Sequence, residues 1–136
     1  SRPRQPKTEK EYPSMALYRV HLQAARSDEF PEGSPRCGYE FIVPLDSEMK
    51  LDPEAWKHHK DDCTVHRFWE DEDDLRGHLR HIGKGWKFDY DPSDTSTDEP
   101  LFKLDRHELK EGEYVSITEY DGVMRTFKVV AVRPFP

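Results

Sequence analysis

The sequence predicts an α+β domain: a mostly antiparallel sheet, rolled or closed into a small open β-barrel of about seven short strands, with one main covering helix over 71–82. Three observations predict it. Short apolar runs alternating with a period of two recur along the chain, separated by turn-rich segments and not by crossover helices, so successive strands pair antiparallel. One stretch follows a 3.6-residue period instead: Leu75, Leu79 and Ile82 fall at i, i+4 and i+7. The length, 136 residues, is that of one domain.

In chain order, residues 1–14 hold three prolines, four basic and two acidic residues, and Tyr12 as their one large apolar group. Such a segment has no face to bury and predicts a flexible basic N-terminal tail, leaving 15–136 as a single globular domain. Leu17 to Gln23 alternates as a half-buried strand. SDEFPEGSPRCG, residues 27–38, is a loop by its Pro, Gly, Ser and Asp content. Tyr39 to Val43 is a second strand, ended by Pro44. Leu51 to His59 predicts a short helix, with Asp52 as its cap and Pro53 at its first position. Thr64 to Trp69 is a third strand, β-branched and aromatic.

The covering helix is predicted next. The acidic run 70–74 sits where carboxylates complement a helix N-terminus, Arg80 and His81 fall in the last turn, and Gly83 supplies a left-handed stop. Trp86, Phe88 and Tyr90 then alternate with Lys87 and Asp89 as a fourth strand. An acidic loop over 91–100 and a short strand from Leu101 to Leu104 follow. Glu113 to Tyr120 and Val123 to Val132 flank Asp121-Gly122, a strong hairpin signal.

Composition narrows the function classes. The hydrophobic fraction is 34%, and Leu, Ile, Val and Phe make up 27 residues, so the core must lean on the sixteen aromatics. The net charge of −7 argues against a general nucleic-acid binder. No run reaches the ~18–20 apolar residues of a membrane span, and no signal-peptide pattern opens the sequence. Two cysteines, Cys37 and Cys63, are too few for a disulfide scaffold, so a soluble, intracellular, cytoplasmic protein is expected.

Three function classes follow. The first is a non-catalytic binding or interaction module whose partner is another protein. The edge of the terminal hairpin offers one place for a second chain to pair. The second is a zinc-binding domain using His59, Cys63, His78 and His81, because His and Cys are ligands zinc prefers and 58–81 holds five histidines and one cysteine. Its spacing matches neither a zinc finger nor HExxH, and on a strand Cys63 and His66 point to opposite faces. The third is a weak single-strand nucleic-acid binder using Arg80, Lys84, Trp86 and Lys87, since cations meet phosphates and flat rings meet bases. Acidic segments flank that patch on both sides. No GxSxG, Walker or GxGxxG pattern points to an enzyme.

Overall fold

A computed structural model describes residues 16–83, 85–91, 93, 98–101, 103–119 and 121–135; the predicted tail 1–14 lies outside them. Among the described residues the chain forms β1 (Ala16–Ala24), β2 (Ser34–Leu45), α1 (Pro53–His58), β3 (Thr64–Trp69), β4 (Glu72–Ile82), β5 (Gly85–Asp89), β6 (Glu99–Leu101), β7 (Tyr114–Thr118) and β8 (Met124–Pro134). A 3-10 turn, Leu104–Arg106, follows β6. The strands pair in sequence order, each antiparallel to the next, and β8 returns to β1, giving a closed barrel. Every strand then has two neighbours, so the sheet has no free edge.

Alternation sets the two faces. Val20 and Leu22 of β1, Tyr39, Phe41 and Val43 of β2, and Val65 and Arg67 of β3 are buried inside. Phe88 of β5, Val115 and Ile117 of β7, and Phe127 and Val129 of β8 join them. Tyr39 stands edge-on to Phe127 and tilted against Phe88, which in turn meets Phe41, all at ring separations near 5 Å. A chain poor in aliphatic residues thus fills its barrel with rings.

α1 covers one end. Asp52 caps it as expected, accepting from the Glu54 and Ala55 amides at 3.1 Å, with Pro53 in the first turn. Trp56 reaches from α1 into the barrel, where its Nε1 donates to the Leu79 carbonyl (3.0 Å) and its ring meets Trp86 edge-on. Leu45, Leu51, Leu104 and Leu109 complete this apolar plug.

The predicted covering helix over 71–82 is a correction: the stretch is β4, and the helix over the opening is α1. Its inward set is Leu75, Gly77, Leu79 and His81, while Ile82 is 58% exposed. Gly77 must be small because a Cβ there would lie 2.1 Å from the Asp89 carbonyl oxygen. His81 lies flat on Trp86, ring centroids 4.2 Å apart. A glycine and a histidine on the inner face hide the period of two, and the three apolar residues left fall on a helical spacing. Gly83 does take a positive φ (61°), as part of the β4–β5 turn and not as a helix stop. With this segment as a strand the count reaches eight and the barrel closes instead of staying open.

Candidate functional site

Barrels of about eight strands have interiors that side chains can fill. Here the half away from α1 is filled by charge. Arg67, 3% exposed, lies between Glu99 and Glu119, which are 0% and 2% exposed. Its Nη2 donates to Glu119 Oε1 at 2.8 Å, its Nη1 to Glu72 at 2.9 Å, and its Nε lies 3.6 Å from Glu99 Oε2. The Tyr90 and Tyr39 hydroxyls donate to Glu99 Oε1 at 2.6 and 2.9 Å, and Tyr39 also reaches Glu119 at 3.2 Å. Burial, then the facing Glu99, pushes both phenols far above their ordinary range, so they serve as donors. Arg125 closes the mouth, binding Glu119 Oε2 (2.6 Å), Asp121 and Glu29. Trp69 lies beneath both cations, 4.3 Å from Arg67 and 5.6 Å from Arg125. The buried charges are therefore bonded to one another, and this cluster is architecture.

The outer wall offers an opening. A groove of about 760 Å³ runs across β1 to β5. Its floor includes Ile42, Val65 and Gly77, and Phe135 stands at one side with Arg19 over its ring at 5.2 Å. β4 supplies the wall: Arg76, His78 and Arg80 alternate along its outward face. Those positions are spaced by about 6.6 Å, twice the strand rise. Cross-strand register places His66 beside Arg76, and Thr64 and Asp89 on either side of His78.

Cations outnumber carboxylates in the lining: Arg19, Arg76 and Arg80 against Glu40 and Asp89. Glu40 is engaged by His21 (3.1 Å), and His66 by Asp74 (2.7 Å). Arg80 Nε lies 3.9 Å from Asp89 Oδ2, whereas Asp89 Oδ1 is buried with no hydrogen-bond partner among the described residues. Arg76 is exposed and likewise makes no hydrogen bond or ion pair among the described residues. The groove thus presents a row of donors and one orphaned acceptor.

The sequence-predicted sets are dispersed. His59 ends α1 and meets Asp62 at 3.3 Å, His78 faces the groove, and His81 lies inside the barrel on Trp86. Cys63 is fully buried; burial, then Asp62, pushes its thiol up to about 12. The structure does not bring these four together, and no group of three His, Cys, Asp or Glu is placed to hold a metal among the described residues. Both cysteines are free and buried. Of the nucleic-acid set, Arg80 lines the groove and Lys87 is paired with Asp98. Trp86 is 2% exposed, a core ring and not a stacking platform, and Lys84 lies outside the described residues.

The hairpin edge is also corrected as a docking place, since β7 pairs with β6 and β8, and β8 with β7 and β1. Sequence reasoning missed Arg67, Glu99 and Glu119. A signal existed for Arg67, which falls between Val65 and Trp69 on the inward side of the predicted strand 64–69.

No helix among the described residues is long and apolar enough to cross a membrane. Compared with protein-family models, curated proteins and solved structures, the chain matches none, so its own geometry is what carries a functional reading.

Proposed function

We propose that the protein is a non-catalytic binding module that takes an extended, acidic segment of a partner protein along the outer-wall groove. The observation that supports this reading most is the row Arg76, His78 and Arg80, set at strand spacing beside a buried acceptor without a partner. An extended segment laid along β4 presents every second side chain to that row, with the same repeat. Its carboxylates meet the two guanidiniums, which bind such groups bidentately, and a backbone amide reaches Asp89. Closure of the barrel favours side-chain recognition, because among the described residues each strand already has a paired neighbour on both sides.

The test is fluorescence anisotropy with a labelled octapeptide alternating Glu and Ser, against its Lys and Ser counterpart and a single-stranded oligonucleotide of equal charge. The acidic peptide should bind saturably and weaken as salt rises. Arg76→Glu with Arg80→Glu should lower its affinity at least about tenfold, roughly 1.4 kcal/mol. Equal binding of the acidic and basic peptides, or by the double variant, would overturn the reading. Binding of the oligonucleotide alone would replace it with the nucleic-acid alternative.

A further inference from the structure

The row on β4 has one member whose charge is conditional. Arg76 and Arg80 are cations at every physiological pH, whereas the His78 between them is charged only when its ring holds two protons. Two histidines line the groove, and they differ. His66 is committed to Asp74 at 2.7 Å. The half-buried His78 ring makes no hydrogen bond or ion pair among the described residues.

The charged groups around His78 come from every neighbouring strand. On β4 itself, Arg76 and Arg80 lie two residues to either side and repel a third positive charge. From β3, Thr64 stands directly opposite and His66 one step diagonal. From β5, Asp89 stands directly opposite and Lys87 diagonal, the lysine being paired with Asp98. Further across the groove are Glu40 of β2, held by His21, and Arg19 of β1, over the Phe135 ring. Tyr90 keeps its proton, because burial and then Glu99 push the phenol far above its ordinary range. Asp89 is thus the carboxylate beside His78, and its Oδ1 is buried with no hydrogen-bond partner among the described residues.

On the reading that the groove takes an acidic segment, we propose that His78 gains a proton as that segment docks, so that the interaction tightens on mild acidification. The proton makes the ring a donor at both nitrogens. One nitrogen meets Asp89 Oδ1, which has lone pairs for the ring and for a backbone amide alike. The other meets the segment's central carboxylate, whose charge also offsets the two guanidiniums. A neutral ring has one donor and serves only one of the two carboxylates. Imidazole changes charge between about pH 5 and 8, while glutamates stay ionised down to about pH 5.5, so the protein titrates in this window and the ligand does not. A site that binds its ligand better when protonated must, reciprocally, take up protons on binding.

The full chain is titrated with the labelled Glu and Ser octapeptide at pH 8 and pH 6, at constant ionic strength. Affinity should rise about fivefold from pH 8 to pH 6, the scale of one imidazole gaining one charge-assisted contact. Calorimetry at pH 7 in two buffers of different ionisation heat should show uptake of about half a proton per peptide bound. That count is read on the wild type and does not depend on how any variant folds. His78→Gln should bind equally at the two pH values. His58→Gln removes the same titratable charge from an exposed position on α1, outside the groove lining, and should keep the full rise. Equal wild-type affinity at both pH values, no proton uptake, a rise that survives in His78→Gln or one that vanishes in His58→Gln would each overturn the assignment while leaving the binding reading in place. Failure of the peptide to bind at either pH would overturn both.

Discussion

The two halves of the barrel interior are filled by opposite chemistry. Near α1 the plug is indole and hydrocarbon: Trp56, Trp86, Leu79, Leu104 and Leu109. At the other mouth it is Arg67 against Glu99 and Glu119, tied by two tyrosine hydroxyls and closed by Arg125. The apolar half gains from area removed from water, so its losses should be graded with the volume removed. The ionic half gains little net energy over a hydrocarbon filling, but it depends on completeness, because each buried charge is compensated only by its partners. Complementary ions at several fixed positions also admit only one register of the strands that bear them, which is a way for a small aromatic core to specify its closure.

The sharpest way to break this contrast is Arg67→Met. Removing the cation leaves Glu99 and Glu119 buried against each other, and the expected loss is about 3–5 kcal/mol by denaturant unfolding. Adding Glu99→Gln and Glu119→Gln to that variant should recover at least about 2 kcal/mol, since a neutral filling no longer contains an unpaired charge. A loss under about 1 kcal/mol for the single change would mean that the ionic half is wet and does not behave as described.

At the apolar end, Leu79→Ala should cost about 3 kcal/mol, because Leu79 is fully buried beneath Trp56. Its cost should grow with the cavity left behind and needs no second-site rescue. Rescue by neutralising Glu99 would contradict the separation of the two halves.

The smallest effect belongs to the rim of the ionic mouth and appears in pH. Partial burial of Asp121 works against its charged form, but the Val123 amide and Arg125 outweigh it, so its carboxyl lies below the ordinary range. A lowered folded-state pKa contributes stability above the unfolded value near 3.9 and loses it as pH falls. Asp121→Asn should therefore cost up to about 0.5 kcal/mol near neutrality, the scale of an exposed pair, and the difference should vanish by about pH 2. Melting curves of the two proteins across that range check it. A difference that grows toward acid would place the stabilising charge elsewhere.

The elements that could be read from the sequence are those whose inner face shows enough apolar residues to reveal its period. β1 shows Val20 and Leu22 at alternate positions, β3 shows Val65 and Trp69 on either side of Arg67 on one face, and α1 declares itself through Asp52 and Pro53. The Asp121-Gly122 hairpin is present as well, with Gly122 at φ 85° and the Glu119 carbonyl accepting from its amide. β4 was illegible because its inner face answers to distant partners: Gly77 to the backbone of β5, His81 to the Trp86 ring. The same error concealed the groove. Arg76 and Arg80 lie four apart, neighbours on a helix but on a strand two steps of one outward row, with His78 between them. The ionic cluster was hidden for another reason, since Glu99 looks like a loop acid and Glu119 like a charge on a hairpin strand until register sets them against Arg67.

Closure by β1 and β8 has a consequence for how the protein is made. The first strand of the barrel must wait for its last before its second edge is covered, by a ladder that runs from Ala24 opposite Phe127 to Tyr18 opposite Pro134 and ends with Phe135 N donating to the Leu17 carbonyl at 2.9 Å. Throughout synthesis the nascent sheet exposes an unpaired β1 edge, a template for pairing with other chains. Contacts between strands so distant in sequence slow folding further. The entry and exit of the barrel are nevertheless neighbours in space, so a short linker joining them, with new termini opened in the 25–33 loop, yields a circular permutant. There β1 is translated directly after β8, and its closing partner is already waiting when it appears.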